Sequence, residues 1–384
     1  METRLLIYFT VIDPSITSVE DLSNEIYYEI FEYLDGVEIV KAFSKLNSRF
    51  QQLLRPSSLL IKTDFYLFHY EEMINKDYDL GIFSTKLCSN LKILSIRCSQ
   101  NIIFLDSNRW TQLISLYYPQ LEKFYLTYND RIDNDNQYEM YSGQIDQFSS
   151  SFWIERKWIF YIRIHNTDIK YMICPYKKMW FDYIQDNNNE YSKSTTLIIT
   201  NTNSDLYDNM LLKRLDRVLT ITKIYHLNIT EKESSINMLV LLIKSLPDLI
   251  TFKLRSLSSD DTVEFTIMEL VEFFSFTGKG KVKKVYLEVI NGERDFNIVR
   301  LFCPNMRYLT VKHIYNMNIQ SFLRTILKKI TANSKIRVRS LCFHIPLADD
   351  QVVQNLQTYI RCEQLLLQFT IKRILDDYIN LQWT

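Results

Sequence analysis

The chain has 384 residues, of which 47% are hydrophobic and 23% are charged, so it can bury a sizeable core and is not wholly disordered. Its 45 basic and 45 acidic residues give a formal net charge of zero, which removes the long-range field expected of a dedicated nucleic-acid or anionic-membrane binder. At about 150 residues per domain, this length predicts about two or three domains, or one elongated array with an appendage.

The composition also disfavours several kinds of catalytic or exported protein. Only six glycines occur, which argues against phosphate-cradling loops, because those loops need backbone conformations that glycine adopts most cheaply. The six cysteines are too few for a disulfide framework, and none forms a C-x-x-C pair. We therefore expect reduced thiols and a cytoplasmic or nuclear protein.

The first 18 residues are interpreted as an N-terminal segment with an apolar run from Leu5 to Ile12. The run has no basic opening and no A-x-A cleavage site, so a signal peptide is not expected. It is also too short to span a bilayer, and no later stretch approaches about 18 consecutive apolar residues. The sequence thus predicts no membrane segment.

Three short helices are predicted within residues 19–60, ending near residues 34, 46 and 54. Each helical pattern follows a residue suited to an N-cap, namely Ser23, Asp35 and Asn47. The apolar side chains of the first helix sweep roughly 220° of its circumference, whereas a surface helix needs a stripe nearer about 100°. A module below about 40 residues cannot bury that surplus alone. Either the rest of the chain or a partner protein covers it.

Four phrases follow one another in this segment: Leu22–Ile26, Ile30–Leu34, Ala42–Phe50 and Leu53–Leu54. In this order they resemble the F-box, the helical module by which substrate receptors dock onto the Skp adaptor of cullin-based ubiquitin ligases. Two residues depart from the family. Ser23 stands where the family usually has proline, and Phe50 stands where many members have tryptophan.

The resemblance implies binding to a Skp-type adaptor and, through it, to a cullin. The apolar side chains expected to face the adaptor come from the first two predicted helices: Leu22, Ile26, Ile30, Leu34, Ile39 and Val40. The alternative is an N-terminal helical cap that packs on the following domain.

Residues 61–384 repeat the phrase apolar-x-x-apolar-x-apolar, which suits a short strand. Pro119, Pro247 and Pro304 each precede it by two residues, and helical spacing precedes several occurrences. Residues 159–164 and 362–367 are two further matches. The pattern predicts one helix–turn–strand unit per roughly 24 to 38 residues. These units resemble irregular leucine-rich repeats, which implies a stacked solenoid with a parallel sheet.

No residue pattern predicts catalysis, a metal or a cofactor. The five histidines are scattered, and although Cys342 and His344 share one side of a predicted strand, nothing nearby completes a metal site. Adjacent carboxylates such as Asp349-Asp350 are interpreted as loop or helix-end charges. The basic run from Gly278 to Lys284 lacks the spacing of a phosphate-binding loop.

Together these observations predict an α/β protein with a small N-terminal three-helix F-box and a leucine-rich-repeat-like solenoid. The predicted domains are residues 1–18, 19–60 and 61–384. The expected function is that of a non-enzymatic substrate-recognition subunit of a Skp-cullin-F-box ubiquitin ligase, in which the repeats bind an unknown target protein and neither nucleic acid nor membrane is a partner. The alternative is a leucine-rich-repeat interaction scaffold outside any ligase.

Overall fold

The computed structural model describes fourteen stretches of the chain, to which all structural statements refer: residues 22–33, 43, 48–53, 60–65, 91–99, 102–131, 145–166, 168–177, 179–182, 195–200, 208–258, 280–333, 336–374 and 377–383. The chain divides into two compact units. Unit 1 comprises Met1–Cys98 and Arg109–Tyr125, and unit 2 comprises Ser99–Asn108 and Leu126–Thr384.

Unit 1 holds the N-terminal helices and a parallel pair of strands. Its elements in chain order are α1 (Asn24–Tyr33), α2 (Ser48–Leu53), β1 (Leu60–Phe65), β2 (Ile93–Ser99) and most of α3 (Ser107–Tyr117). Strand β1 pairs with β2 from Leu60 opposite Ile93 onward. Trp110 on α3 packs against Phe124, with 5.2 Å between the ring centroids.

Unit 2 is built on a mixed sheet with the strand order β3-β5-β4-β6-β7-β8-β9-β10-β11-β13-β12. The strands are β3 (Lys123–Arg131, which begins in unit 1), β4 (Trp158–His165), β5 (Asp168–Pro175), β6 (Thr196–Thr200), β7 (His226–Ile229), β8 (Thr251–Leu254), β9 (Lys284–Ile290), β10 (Tyr308–Ile314), β11 (Ser340–His344), β12 (Phe369–Ile374) and β13 (Tyr378–Trp383). The helices are α4 (Ser151–Glu155), α5 (Asp208–Ile221), α6 (Ile236–Ser245), α7 (Glu293–Phe302), α8 (Ile319–Ala332) and α9 (Asp350–Cys362).

The parallel part of this sheet runs from β4 through β6 to β11, and from β6 to β11 it buries two aligned rows of apolar side chains. Each member of these rows is at most 1% exposed. One row holds Leu197, Leu227, Phe252, Val285, Leu309 and Leu341, and the next holds Ile199, Ile229, Leu254, Leu287, Val311 and Phe343. The predicted phrase supplies both rows from β7 to β11, because its last two apolar positions are two residues apart and therefore point to the same side of a strand.

The helices that connect these strands lie on one face of the sheet. Each new strand is added on the same side of the strand before it, and a crossover between parallel strands is right-handed in nearly all proteins. Helices α5 to α8 are thus placed on the side of the apolar rows. Helix α8 begins at Asn318, whose side chain accepts from the Ser321 N–H at 2.8 Å, and it buries a stripe of five apolar residues: Phe322, Leu323, Ile326, Leu327 and Ile330.

The prediction of a solenoid with a parallel sheet is wrong. Strand β5 lies antiparallel between β3 and β4, and β13 lies antiparallel between β11 and β12. The β4–β5 connection is a tight turn that contains Asn166 in a left-handed conformation (φ 47°), whereas a parallel crossover needs about a dozen residues or more. The phrase at 362–367 is also not a strand, since Leu367 is 97% exposed in the turn after α9.

The predicted three-helix F-box is likewise not seen in the described residues. Helices α1 and α2 occur where the first and third helices were expected. Of the expected middle helix only Phe43 is described, in a helical conformation, and the remainder lies outside the described residues. Two helices and one further helical residue do not make the predicted module.

No helix in the described part of the chain combines the length and apolar character needed to cross a membrane.

The apolar rows are expected to dominate the stability of unit 2. We expect Leu341→Ala to lower the free energy of unfolding by about 2 to 5 kcal/mol, because it leaves a cavity among fully buried neighbours. The matched variant Leu367→Ala should change it by less than about 0.5 kcal/mol, because Leu367 is almost fully exposed. Urea unfolding of both variants measures the difference, and equal midpoints would contradict this assignment of the core.

Candidate functional site

Helix α1 begins at the predicted N-cap. The Ser23 carbonyl oxygen accepts the first helical bond from the Tyr27 N–H at 3.3 Å. Hydrogen bonds from the backbone N–H of Glu25 and from the Ser23 side chain, together with the charge of Arg49, lower the pKa of the exposed Glu25 carboxyl. A carboxylate in the first turn also complements the positive end of the helix dipole.

The inner side of α1 is fixed by a small aromatic cluster. Tyr27 and Phe50 are both fully buried, and their rings meet edge to face with centroids 4.8 Å apart. Phe43 completes the contact at 6.0 Å from Tyr27 and 5.3 Å from Phe50. Leu22 and Leu53 close the cluster at its ends. Phe50 thus contacts both other rings of this cluster.

Arg49 ties the start of α2 to the start of α1. Its Nε and Nη2 donate to Asn24 Oδ1 at 3.1 and 2.9 Å, and Nη2 also donates to the Leu22 carbonyl oxygen. The guanidinium carbon lies 5.5 Å from the centroid of the Tyr27 ring, within the range of a cation–π contact. Arg49 lies within the Ala42–Phe50 phrase, but the sequence alone assigned it no role.

The predicted adaptor-facing residues divide into three groups. Leu22 is buried in the aromatic cluster, and Ile30 is half-buried against it. Ile26 is 38% exposed and lies beside the exposed residues Ser23 to Glu25. The other three, Leu34, Ile39 and Val40, lie outside the described residues.

The sheet of unit 2 presents a second surface on the side opposite the apolar rows, here called the polar face. Lys253 and Tyr286 occupy neighbouring positions on it, with the Lys253 Nζ 4.8 Å from the centroid of the Tyr286 ring. Glu288 lies next to them, and its carboxylate forms ion pairs with Lys253 Nζ at 3.3 Å and with Arg255 Nε at 3.8 Å. Sequence reasoning missed this face, although Lys253 and Tyr286 occupy x positions of the repeated phrase.

An aromatic contact partly covers the polar face. Trp180, in a short 3₁₀ turn after β5, packs on Tyr286 with 5.4 Å between the ring centroids. Burial, with a hydrogen bond to Tyr378, raises the pKa of the Tyr286 hydroxyl well above its usual range. Tyr286 is therefore a neutral, packed residue at any physiological pH.

The described residues contain no group of three or more side chains suited to hold a metal ion. The sequence placed two possible metal ligands, Cys342 and His344, on one side of a strand. Burial raises the pKa of the Cys342 thiol to about 12. The thiolate is the form that attacks electrophiles, so burial makes this thiol a poor nucleophile. The neighbouring His344 has its Nε2 3.8 Å from the Asp377 carboxylate.

Asp349 and Asp377, each one member of an adjacent pair of aspartates in the sequence, have structural contacts. Asp349 caps α9, where its Oδ1 accepts from the Val352 N–H at 2.7 Å. Asp377 accepts from the Leu347 N–H at 3.0 Å, and this bond supports the left-handed backbone of Leu347 (φ 57°). These bonds are typical of a helix end and a turn rather than of acid–base chemistry.

No protein-family model matches the chain, and no curated protein is significantly similar to it. The geometry of α1 and of the polar face therefore carries the functional argument.

Thiol labelling tests the assignment of buried, neutral cysteines. At pH 8 we expect iodoacetamide to modify the exposed Cys362 rapidly, and Cys342 at least about a hundredfold more slowly, because burial both blocks access and raises the thiol pKa. Peptide mapping by mass spectrometry measures each site. If Cys342 reacted as fast as Cys362 under native conditions, the burial of Cys342 would be contradicted.

Proposed function

We propose that this chain is the substrate-recognition subunit of a Skp-cullin-F-box type ubiquitin ligase, active in the cytoplasm or nucleus. In this proposal the outer side of α1 binds a Skp-type adaptor, and unit 2 binds the target protein. The chain itself performs no catalysis and carries no cofactor.

The observation that carries the proposal is the contrast between neighbouring residues of α1. Tyr27 is fully buried in the aromatic cluster, while Ile26 is 38% exposed. An exposed large aliphatic side chain on a helix whose inner side is fixed by aromatic packing and by Arg49 is a pre-organised contact point. Residues 22–54 also resemble the F-box in sequence, which supports a Skp-type adaptor as the partner.

The mechanism that follows is one of proximity. A subunit that holds the target and the adaptor at the same time raises the local concentration of the target near a ubiquitin-charged enzyme. The transfer chemistry then belongs to other subunits. In this mechanism the chain needs surfaces of the right shape and charge rather than reactive groups.

A second candidate function is a protein-interaction scaffold that joins no ligase. It is favoured by the burial of Leu22 and the partial burial of Ile30, since both side chains are used inside the helical cluster. In that case α1 and α2 serve only to stabilise unit 1. The two candidates differ in whether the exposed side of α1 binds an adaptor.

Adaptor capture by the purified full chain separates the candidates. We expect the parent chain to retain a recombinant Skp-type adaptor, and Ile26→Asp to weaken that binding at least about tenfold, because a carboxylate would be buried without a partner. Ile26 is a better position than Ile30 for this substitution, because replacing Ile30 would also disturb the aromatic cluster.

Leu367→Asp is the matched control, because it places the same charge at another exposed aliphatic position. It should leave adaptor binding unchanged. Failure of the parent chain to bind the adaptor, or equal binding by Ile26→Asp, would reject the ligase proposal and leave the scaffold.

A further inference from the structure

We propose that the polar face between β8 and β12 is the docking surface for an acidic, extended segment of the target protein. The inference rests on the proposed function in assigning the target to unit 2. What the inference adds is the kind of target segment that this surface would bind and the charges that would bind it. The docking surface is defined by five basic residues: Lys253, Arg255, Lys284, Lys312 and Lys372.

The pairing register places these residues on one side of the sheet. Lys253, Tyr286, Thr310, Cys342, Asn380 and Lys372 lie opposite one another along a single row that crosses six strands. Lys284 lies two residues before Tyr286, and Lys312 lies two residues after Thr310, so strand alternation gives them the same direction. The 2.8 Å hydrogen bond from Ser340 Oγ to Asn380 Oδ1 joins two side chains of this face.

The charge of this surface is strongly unbalanced. Within the described residues this face carries the five basic side chains and one acidic residue, Glu288, which pairs with Lys253 and Arg255, and Asp377 lies at its margin beside His344. The whole chain has a formal net charge of zero, so the excess is local. Positive charge concentrated on one surface favours a negatively charged partner and raises its rate of association.

The spacing of the charges fits an extended peptide. Five strand separations of about 4.8 Å make about 24 Å between β8 and β12, a distance spanned by about seven extended residues. Lys253 and Lys372 stand at the two ends of that path, and Lys284 and Lys312 flank it two residues away on either side, so a peptide that crosses the strands can meet several of them with its carboxylates. Lys312 is half-buried and Lys372 is exposed, so neither residue is closed off from a partner.

The aromatic rings of the surface favour a peptide over single-stranded nucleic acid. Bases bind such surfaces by stacking on aromatic rings. Here Trp180 and Lys253 already lie against Tyr286, and Lys284 Nζ lies 5.7 Å from the centroid of the Tyr308 ring. Because these rings carry partners from the chain itself, charge rather than stacking is what the surface offers.

Fluorescence anisotropy with the full chain tests the proposal. The probe is a fluorescein-labelled peptide of alternating glutamate and serine, about ten residues long so that it exceeds the span of the surface. We expect it to bind, and to bind more weakly as salt is raised. A peptide in which glutamine replaces glutamate should not bind.

Charge reversal locates the binding. Lys312→Glu and Lys372→Glu should each weaken binding of the glutamate peptide at least about fivefold. Lys328→Glu is the matched control, since Lys328 is exposed on α8, on the opposite face, and its reversal should change the dissociation constant less than about twofold. Unchanged circular dichroism and an unchanged urea midpoint show that each variant is folded. If Lys312→Glu does not fold, Lys312→Gln is used to repeat the test.

Three results would overturn the proposal: no binding of the glutamate peptide, equal weakening by Lys328→Glu, or tighter binding of an oligouridylate of similar length than of the peptide. Adaptor capture by the same variants distinguishes a failure of the ligase proposal from a failure of the docking-surface proposal. Peptide binding without adaptor binding would leave the docking surface standing and reject the ligase. Adaptor binding without peptide binding would reject the docking surface alone.

Discussion

The structure of unit 2 depends on the parallel register that aligns apolar side chains from β6 to β11. Each strand is added on the same side of the one before it, so right-handed crossovers place the connecting helices on a single face. The apolar rows are buried there. The other face is consequently built from the alternate residues of the same strands, and these are polar, basic and aromatic. The position of the polar face therefore follows from strand order and handedness.

The sequence predicted the local elements of this fold better than their assembly. Helical spacing located α3, α6, α7 and α8, and the repeated phrase located most strands between β2 and β11. Assembly depended on connections that the phrase does not encode. The short turn at Asn166 makes β4 and β5 a hairpin, and Leu367 satisfies the phrase although it lies in solvent. A pattern of apolar positions records which residues can be buried, but not which strand lies beside which.

The candidate surfaces were predictable to different degrees. The helical wheel of α1 showed that its apolar surface exceeds what one side can bury. It could not show that Tyr27 is buried while Ile26 is exposed. That separation requires Phe43 and Phe50, which approach Tyr27 from later in the chain. The basic docking surface was not predictable at all. Lys253 and Lys372 are far apart in sequence, and only the complete order of the strands brings them to one face.

The central claim is that the chain works by binding other proteins through two surfaces, the exposed side of α1 and the polar face of unit 2. Hydroxyl-radical footprinting of the full chain, with the Skp-type adaptor and with the acidic peptide in turn, tests it most directly. The account predicts that the adaptor slows oxidation of Ile26 and that the peptide slows oxidation of Tyr308 and Trp180, while Leu367 reacts equally in every sample. Equal oxidation of Ile26, Tyr308 and Trp180 with and without these partners would contradict it.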